Sequence, residues 1–407
     1  MSRRRGRPRL GELRGTIVHI DLTAEELELQ READAYFATV LTDREREQLR
    51  EDEFGPAYKA VSRRLGRDGW LGLGWPTEYG GRALGPMADQ IVVSAAFRHE
   101  VPYPLVTVYS VGPALQTFGT PEQQKEFLPR ILAGDLQVSI GYSEPGAGTD
   151  LASLATVARR DGDAYVVNGQ KMFTSGVHTA DYVWLACRTD PGQSRTRGLS
   201  ILMVDTRLPG VSWTPIRVLA RSRQVNATYF DDVRVPAGCL IGEEDKGWKV
   251  IMSQLNSERF IVGPAGKIQA HLDRFLRWAR ETRLDGSRHM IDLPEVRRAL
   301  SEIDAIVTAN ELLNWRIVAD TGTGSLNPAD ASANKLYNSE RLVEVGARVA
   351  EIVQRYGDPA DEATATVLRE VDYALKMELK LPVGGGVSEI QRETVATLGL
   401  GLPRAPR

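Results

Sequence analysis

The sequence predicts an α+β chain in three blocks: an N-terminal helical domain, a central β-sandwich or small barrel, and a C-terminal helical bundle. Two observations predict it. The hydrophobic period changes from helical to strand-like at about residue 138 and back again near 240. The length of 407 residues, at roughly 150 per domain, suffices for two or three cores. The expected organisation is a basic arm over 1–22, a helical domain over 23–137, a β domain over 138–240 and a four-helix-type domain over 241–407.

In the first block Thr23 and Glu26 have capping-box spacing, and Leu29, Ala33, Phe37 and Leu41 recur every fourth residue as one buried stripe. That opens a helix. Thr120, Pro121 and Gln123 open another, with a cap, a proline at the first helical position and a side chain that reaches back. Between them the glycines and proline of GWPTEYGG, Gly74 to Gly81, impose a turn-rich connection. The second block reads as short strands separated by turns: YVV before the turn signal Asn168-Gly169, YVWLAC over 182–187 and LSILMV over 199–204. After Gly242 four or five long amphipathic helices follow, broken at Gly263-Pro264, Asp285-Gly286, Gly322 to Pro328 and Gly357 to Pro359.

Charge and composition narrow the function. Lys and Arg number 51 against 54 Asp and Glu, a net charge of -3, so nothing marks a chain-wide nucleic-acid or membrane partner. Basic residues gather only in Arg3, Arg4, Arg5, Arg7 and Arg9, which read as a solvated tail. With 42% hydrophobic residues the composition is that of a soluble globule, and no apolar run approaches the roughly 18 residues of a membrane span. Cys187 and Cys239 admit a single bridge and no framework, which fits a reducing cytoplasm. The five histidines lie far apart without ligand spacing, so neither a zinc site nor a Cys–His nucleophile is expected.

Two segments have chemical potential. Gly141 to Asp150, GYSEPGAGTD, sets three glycines and three hydroxyl groups beside a strand, so its amides are free to approach a phosphate. It is neither a P-loop nor a Rossmann fingerprint, and alone it reads first as a sharp glycine turn with no ligand. Asn168 to Gly176, NGQKMFTSG, offers the ring of Phe173 and the hydroxyls of Thr174 and Ser175. Alone, Phe173 reads as an inward strand residue.

Together these segments resemble the acyl-CoA dehydrogenase family. Further matches are Gly74-Trp75-Pro76 with Glu78-Tyr79-Gly80-Gly81, Phe230 to Pro236 with Gly242-Glu243-Glu244, and Ser388-Glu389-Ile390-Gln391-Arg392, so the likeness spans about 23 to 405. It is nearest the actinobacterial branch that oxidises bulky or branched acyl-CoA thioesters, including steroid side chains. The resemblance implies FAD between the β domain and the C-terminal helices, with an acyl thioester along the flavin. Ile140, Tyr142, Ser143, Gly148 and Thr149 match the strand and loop along flavin and pyrophosphate, Thr149 also touching substrate. Phe173, Thr174 and Ser175 match the second flavin segment, with Phe173 in place of the usual tryptophan and Ser175 where a hydroxyl donates to flavin N5.

The implied reaction removes an α-proton with a carboxylate base while the β-hydrogen leaves as hydride to N5. Gly385 occupies the position of the medium-chain type's glutamate. The isovaleryl and long-chain types place the base on a helix before an arginine, and Asn256-Ser257-Glu258-Arg259-Phe260 matches them, so Glu258 is the implied base and Arg259 a substrate contact. The resemblance further implies that the Gly385 amide can still donate to the thioester oxygen, while its missing side chain leaves room for a branched or polycyclic acyl group.

Two departures bear on partners. The family's Arg-x-Phe-Gly segment, which reaches a neighbouring subunit's FAD, is absent from Arg280 to Gly286, and Val387 replaces a threonine near the cofactor. A homo- or hetero-oligomer, dimer or tetramer, is implied, with acyl-CoA or an acyl-carrier-protein thioester as substrate and electron-transfer flavoprotein as acceptor. The alternatives are a catalytically silent subunit of a heteromeric enzyme, and a flavin oxidase or monooxygenase on the same fold.

Overall fold

The computed structural model describes residues 21–193, 195–220, 223–259, 263–322 and 326–404, with only the backbone at 256–259. Most of the expected basic arm therefore lies outside the described residues. The first helical block comprises α1 (Ala24–Thr39), α2 (Asp43–Glu51), α3 (Pro56–Arg67), α4 (Pro86–Arg98), α5 (Gly112–Phe118) and α6 (Pro121–Leu132). Reciprocal capping boxes at Thr23/Glu26 and Thr120/Gln123 start α1 and α6, and α1 buries Leu29, Ala33 and Phe37. The GWPTEYGG stretch is a 3₁₀ turn at Thr77–Tyr79 between open segments. Its Gly74 amide donates to the buried Asp89 carboxyl at 3.0 Å, and the Tyr109 hydroxyl donates to the same oxygen at 2.8 Å. Burial pushes the Asp89 carboxyl up to about 6 despite these donors. A Cβ on Gly74 would stand 2.4 Å from Asp89 Oδ2, so only glycine fits. Before α5 the chain runs through a π-helical stretch, Val106–Val111.

The strands are β1 (Val138–Gly141), β2 (Val157–Asp161), β3 (Ala164–Ser175), β4 (Tyr182–Arg188), β5 (Leu199–Asp205), β6 (Val211–Arg217), β7 (Arg223–Pro236) and β8 (Leu240–Ile241). They form one eight-stranded sheet in the order β6-β7-β3-β2-β4-β5-β8, with β1 paired parallel to β4. Tyr165, Val167, Val183, Leu185, Leu202, Val204 and Val235 fill its core. One sequence expectation is corrected here. Asn168-Gly169 is not a turn but a bulge in a continuous β3, where the register against β7 shifts between Val167 and Gly169. Gly169 takes φ +156°, and Thr156, just before β2, lies 2.4 Å from where a Cβ would stand, so only glycine fits. Asn168 instead ties Asp232 through two hydrogen bonds, at 2.9 and 3.0 Å.

The last block contains α7 (Gly247–Arg259), α8 (Gly266–Glu281), a hairpin of β9 (Arg283–Asp285) and β10 (Arg288–His289), α9 (Pro294–Gly322), α10 (Pro328–Tyr356), α11 (Glu362–Glu378) and α12 (Ser388–Thr394). Apolar packing of Ile268, Phe275, Trp278, Leu342, Val349 and Val371 holds it together. Through that core runs a polar seam. Asn338 donates to Asn310 at 2.7 Å, Asn310 to Asn334 at 3.3 Å and Asn334 to Asn314 at 3.0 Å, all four side chains buried between α9 and α10. No helix among the described residues is long and apolar enough to cross a membrane, and both cysteines are free.

The helical blocks meet where α8 crosses α4, with Arg98 paired to Asp273 at 2.7 Å. Gly266 makes the crossing close: a Cβ there would lie 1.9 Å from the Ser94 carbonyl oxygen. Gly266→Ala is expected to lower stability by about 1–3 kcal/mol through forced separation of the helices. Gly238→Ala, whose Cβ meets nothing within 4 Å, should stay within about 0.5 kcal/mol. Thermal unfolding of the pair checks this, and equal midpoints would refute it.

Candidate active site

The loop leaving β1 is pinned from inside. Glu144 and Ala147 exchange backbone hydrogen bonds at 2.9 and 3.1 Å, closing the turn around Pro145 and Gly146. The Glu144 carboxylate points inward and accepts from the amides of Ala155 (2.6 Å) and Thr156 (2.9 Å) and from the Lys171 ammonium (2.7 Å). Lys171, fully buried, also donates to the Tyr142 carbonyl at 3.1 Å. Burial works against the charge on Glu144, but Lys171 and the two amides outweigh it and hold the carboxyl below its ordinary value. Two further bonds lay the loop beside the end of β3: Met172 N–H to the Ser143 carbonyl at 2.8 Å, and the Ser139 hydroxyl to the Ser175 carbonyl at 2.6 Å.

That end of β3 departs from alternation. The register against β7 shifts again between Lys171 and Thr174, and Phe173 sits at φ +60°. An extra residue reverses the faces. Lys171 and Thr174 therefore both turn inward, while the Phe173 ring is left 62% exposed. Ser175 and Thr149 are exposed with it, and Ser143 and Ile140 are half-buried. Gly146 and Gly148 border open space, since a Cβ on either meets nothing within 4 Å. The result is an apolar face flanked by hydroxyls and accessible amides, shaped to receive a flat ring and an anion.

Tyr142 and Thr174 do not present their side chains to that face, so what they offer a ligand is main chain. Thr174 is fully buried. The Tyr142 hydroxyl accepts from Trp184 Nε1 at 3.2 Å and hydrogen-bonds the buried side chain of Gln254 in α7, which in turn reaches Ser110 of the π-helical stretch. Glu258 lies four residues after Gln254 on the same helix and hence on the same face. The side chains of Glu258 and Arg259 lie outside the described residues.

Gly385 sits in a turn before α12 with φ +67°, followed by Gly386 at +95°. Lys335 of α10 donates to the Gly386 carbonyl at 2.7 Å. One turn further along α10, Asn338 donates to the carbonyl of Pro264, two residues before α8, at 3.3 Å. α10 thus holds both the glycine turn and the entry to α8.

Beyond Thr149 opens a cleft of about 430 Å³ bordered by Asp150, Ser153, Arg188 and Arg195. Buried Arg188 shapes it by donating to the carbonyls of Ala152, Leu154, Gln193, Arg195 and Arg197. Arg195 remains exposed, 3.6 Å from Asp150. Among the described residues, no three His, Cys, Asp or Glu side chains gather as metal ligands. Sequence reasoning missed Glu144, Lys171, Gln254 and Lys335; the one local hint was a lysine in a run of inward strand positions.

Comparison with known proteins identifies the family. Three family models match in order: acyl-CoA dehydrogenase N-terminal domain over 23–135, middle domain over 139–233 and C-terminal domain over 245–399. Acyl-CoA dehydrogenase FadE29 of Mycobacterium tuberculosis is 51% identical, covering 95% of this chain and 100% of its own length. FadE26 of the same organism is 42% identical, covering 96% and 100%. Among solved structures, a Tcur3481-Tcur3483 steroid ACAD superposes with TM-score 0.87 at 40% identity, covering 95% of this chain and 99% of that one. The ChsE4-ChsE5 complex from M. tuberculosis gives 0.86 at 42%, covering 95% and 100%.

The internal pin is testable without any ligand. Lys171→Met leaves a buried carboxylate unpaired and should destabilise the protein by about 3–5 kcal/mol, as should Glu144→Gln. The double variant should lose less than the sum of the two. Denaturant unfolding measures all three, and full additivity would show that the pair does not act as a unit.

Proposed function

The chain belongs to the acyl-CoA dehydrogenase family, and we propose that it converts a bulky acyl-CoA thioester to the trans-2,3-enoyl-CoA, with Glu258 as the base. The family uses FAD, which when bound accepts the β-hydrogen as hydride at N5. The exposed Phe173 ring, the Ser143, Thr149 and Ser175 hydroxyls and the open glycines of the pinned loop fit that cofactor.

One observation carries the reading: the hydrogen bond from Tyr142, in the loop that would hold the flavin, to Gln254, one helical turn before Glu258. It ties the cofactor's strand to the helix of the base, and proton removal on one face with hydride loss on the other requires that the two be fixed relative to each other. In this arrangement Glu258 takes the α-proton, and the Gly385 amide donates to the thioester oxygen, where charge develops as that proton leaves. A Cβ on Gly385 meets nothing within 4 Å, consistent with space for a branched or polycyclic acyl group. The thioester's carrier end then reaches the cleft beyond Thr149, where Arg195 faces the phosphates of CoA.

Relatives described as a steroid ACAD and as a two-protein complex favour a steroid side-chain-like acyl group and a second polypeptide for this chain as well. The segment that departs from the family pattern, Arg280 to Gly286, here enters the short β9–β10 hairpin, leaving the remaining cofactor contacts to a partner. Electron-transfer flavoprotein is the proposed acceptor.

Anaerobic mixing of the FAD-loaded protein with a substrate should bleach the flavin band. Glu258→Gln should slow that bleaching by about 10²- to 10⁴-fold with FAD retained; a rate near wild type removes Glu258 from the reaction. Arg195→Glu should raise KM for acyl-CoA by about tenfold and leave kcat in place. Steady-state kinetics decide, and an unchanged KM would place the CoA phosphates elsewhere.

A further inference from the structure

We propose that Lys335 is a positioning residue of this site: its ammonium clamps the Gly386 carbonyl and so fixes the direction in which the Gly385 amide points. This rests on the reading of Gly385 as the donor to the thioester oxygen.

Three consecutive glycines, Gly384, Gly385 and Gly386, give the turn no side chains by which to pack. Such a segment loses more conformational freedom on ordering than any other. Backbone bonds close its first part, Gly384 N–H to the Lys380 carbonyl at 2.7 Å, and its end, Ser388 N–H to the Pro382 carbonyl at 2.9 Å. Between them Gln391 Nε2 reaches the carbonyls of Gly385 and Gly386 only at long range, both at 3.4 Å. The Lys335 bond at 2.7 Å is the short one. It comes from a two-turn-deep position in α10, a rigid helix of 29 residues, so it sets the turn against the bundle rather than against itself.

A neutral donor would have satisfied that carbonyl at less expense. Lys335 is only 3% exposed, and burying an ammonium is costly unless its charge is used. Burial pushes it down to about 8, with Glu340 of its own helix and Glu389 of α12 pulling the other way. The charge sits on the carbonyl of Gly386, the residue after Gly385. There it polarises the turn toward the developing oxyanion as well as holding it in place.

The test uses the FAD-loaded protein and a dimethylaminocinnamoyl-CoA probe, whose absorption moves to the red when its carbonyl accepts hydrogen bonds. Lys335→Met should keep its flavin, lose most of the red shift and lose about 10²-fold in kcat with KM little changed. Lys335→Arg should recover much of both. A Lys335→Met protein with the full red shift and wild-type kcat overturns the clamp. If that variant fails to fold, Lys335→Gln, which keeps a donor but shortens its reach and removes its charge, decides by the same two readings. Wild-type protein that binds the probe without any shift overturns the Gly385 donor and the clamp together, whereas a shift equal in wild type and variant overturns the clamp alone.

Discussion

The buried pair of Glu144 and Lys171 is the constraint on which the candidate site depends. The loop that follows β1 is rich in glycine and has few side chains to anchor it, yet its amides must be held at fixed positions to recognise a ligand. One carboxylate gathers two amides and an ammonium, and that ammonium holds the Tyr142 carbonyl as well. Charge-assisted bonds of this kind are short and directional. An apolar replacement of the same volume would fill the space without specifying where each amide points.

From that pin the geometry passes outward in two directions. Through Met172 and Ser139 it reaches the exposed end of β3, where a bulge turns Phe173 to the surface. Through Tyr142 it reaches Gln254 and the helix of Glu258. The β sheet is therefore the reference frame, and the helical block packs on it through apolar residues such as Val250 and Ile251, with a few buried polar contacts added. α10 repeats the pattern from the other side, with Lys335 on the glycine turn and Asn338 on Pro264.

What the sequence disclosed is what short range decides. The boxes at Thr23 and Thr120, the helix breaks at Asp285-Gly286 and Gly357 to Pro359, and the order of helical, strand and helical blocks depend on neighbours a few residues away. Asn168-Gly169 misleads because the same dipeptide serves a turn or a bulge, and Thr156, brought alongside just before β2, decides between them. The outward Phe173 was legible only through family resemblance, since alternation points it inward and the register shift that reverses it belongs to the pairing with β7. Glu144, Gln254 and Lys335 carry no local mark, and Lys171 only that of a lysine within a strand: a charged or amide side chain reads as surface until its partner, 27 residues away for the Glu144–Lys171 pair and 112 for Gln254 and Tyr142, is placed beside it.

The asparagine seam between α9 and α10 has a consequence for the bundle as a mechanical object. Leucines in those four places would bind the helices more tightly but would tolerate sliding by a turn, because one greasy surface resembles the next. Amides do not interchange so freely: displaced by a turn, two of the four lose the partners they now have and are left against hydrocarbon. The two long rods behave as a keyed shaft, with a single seating depth set near their middle, and whatever rides on α10 inherits that depth.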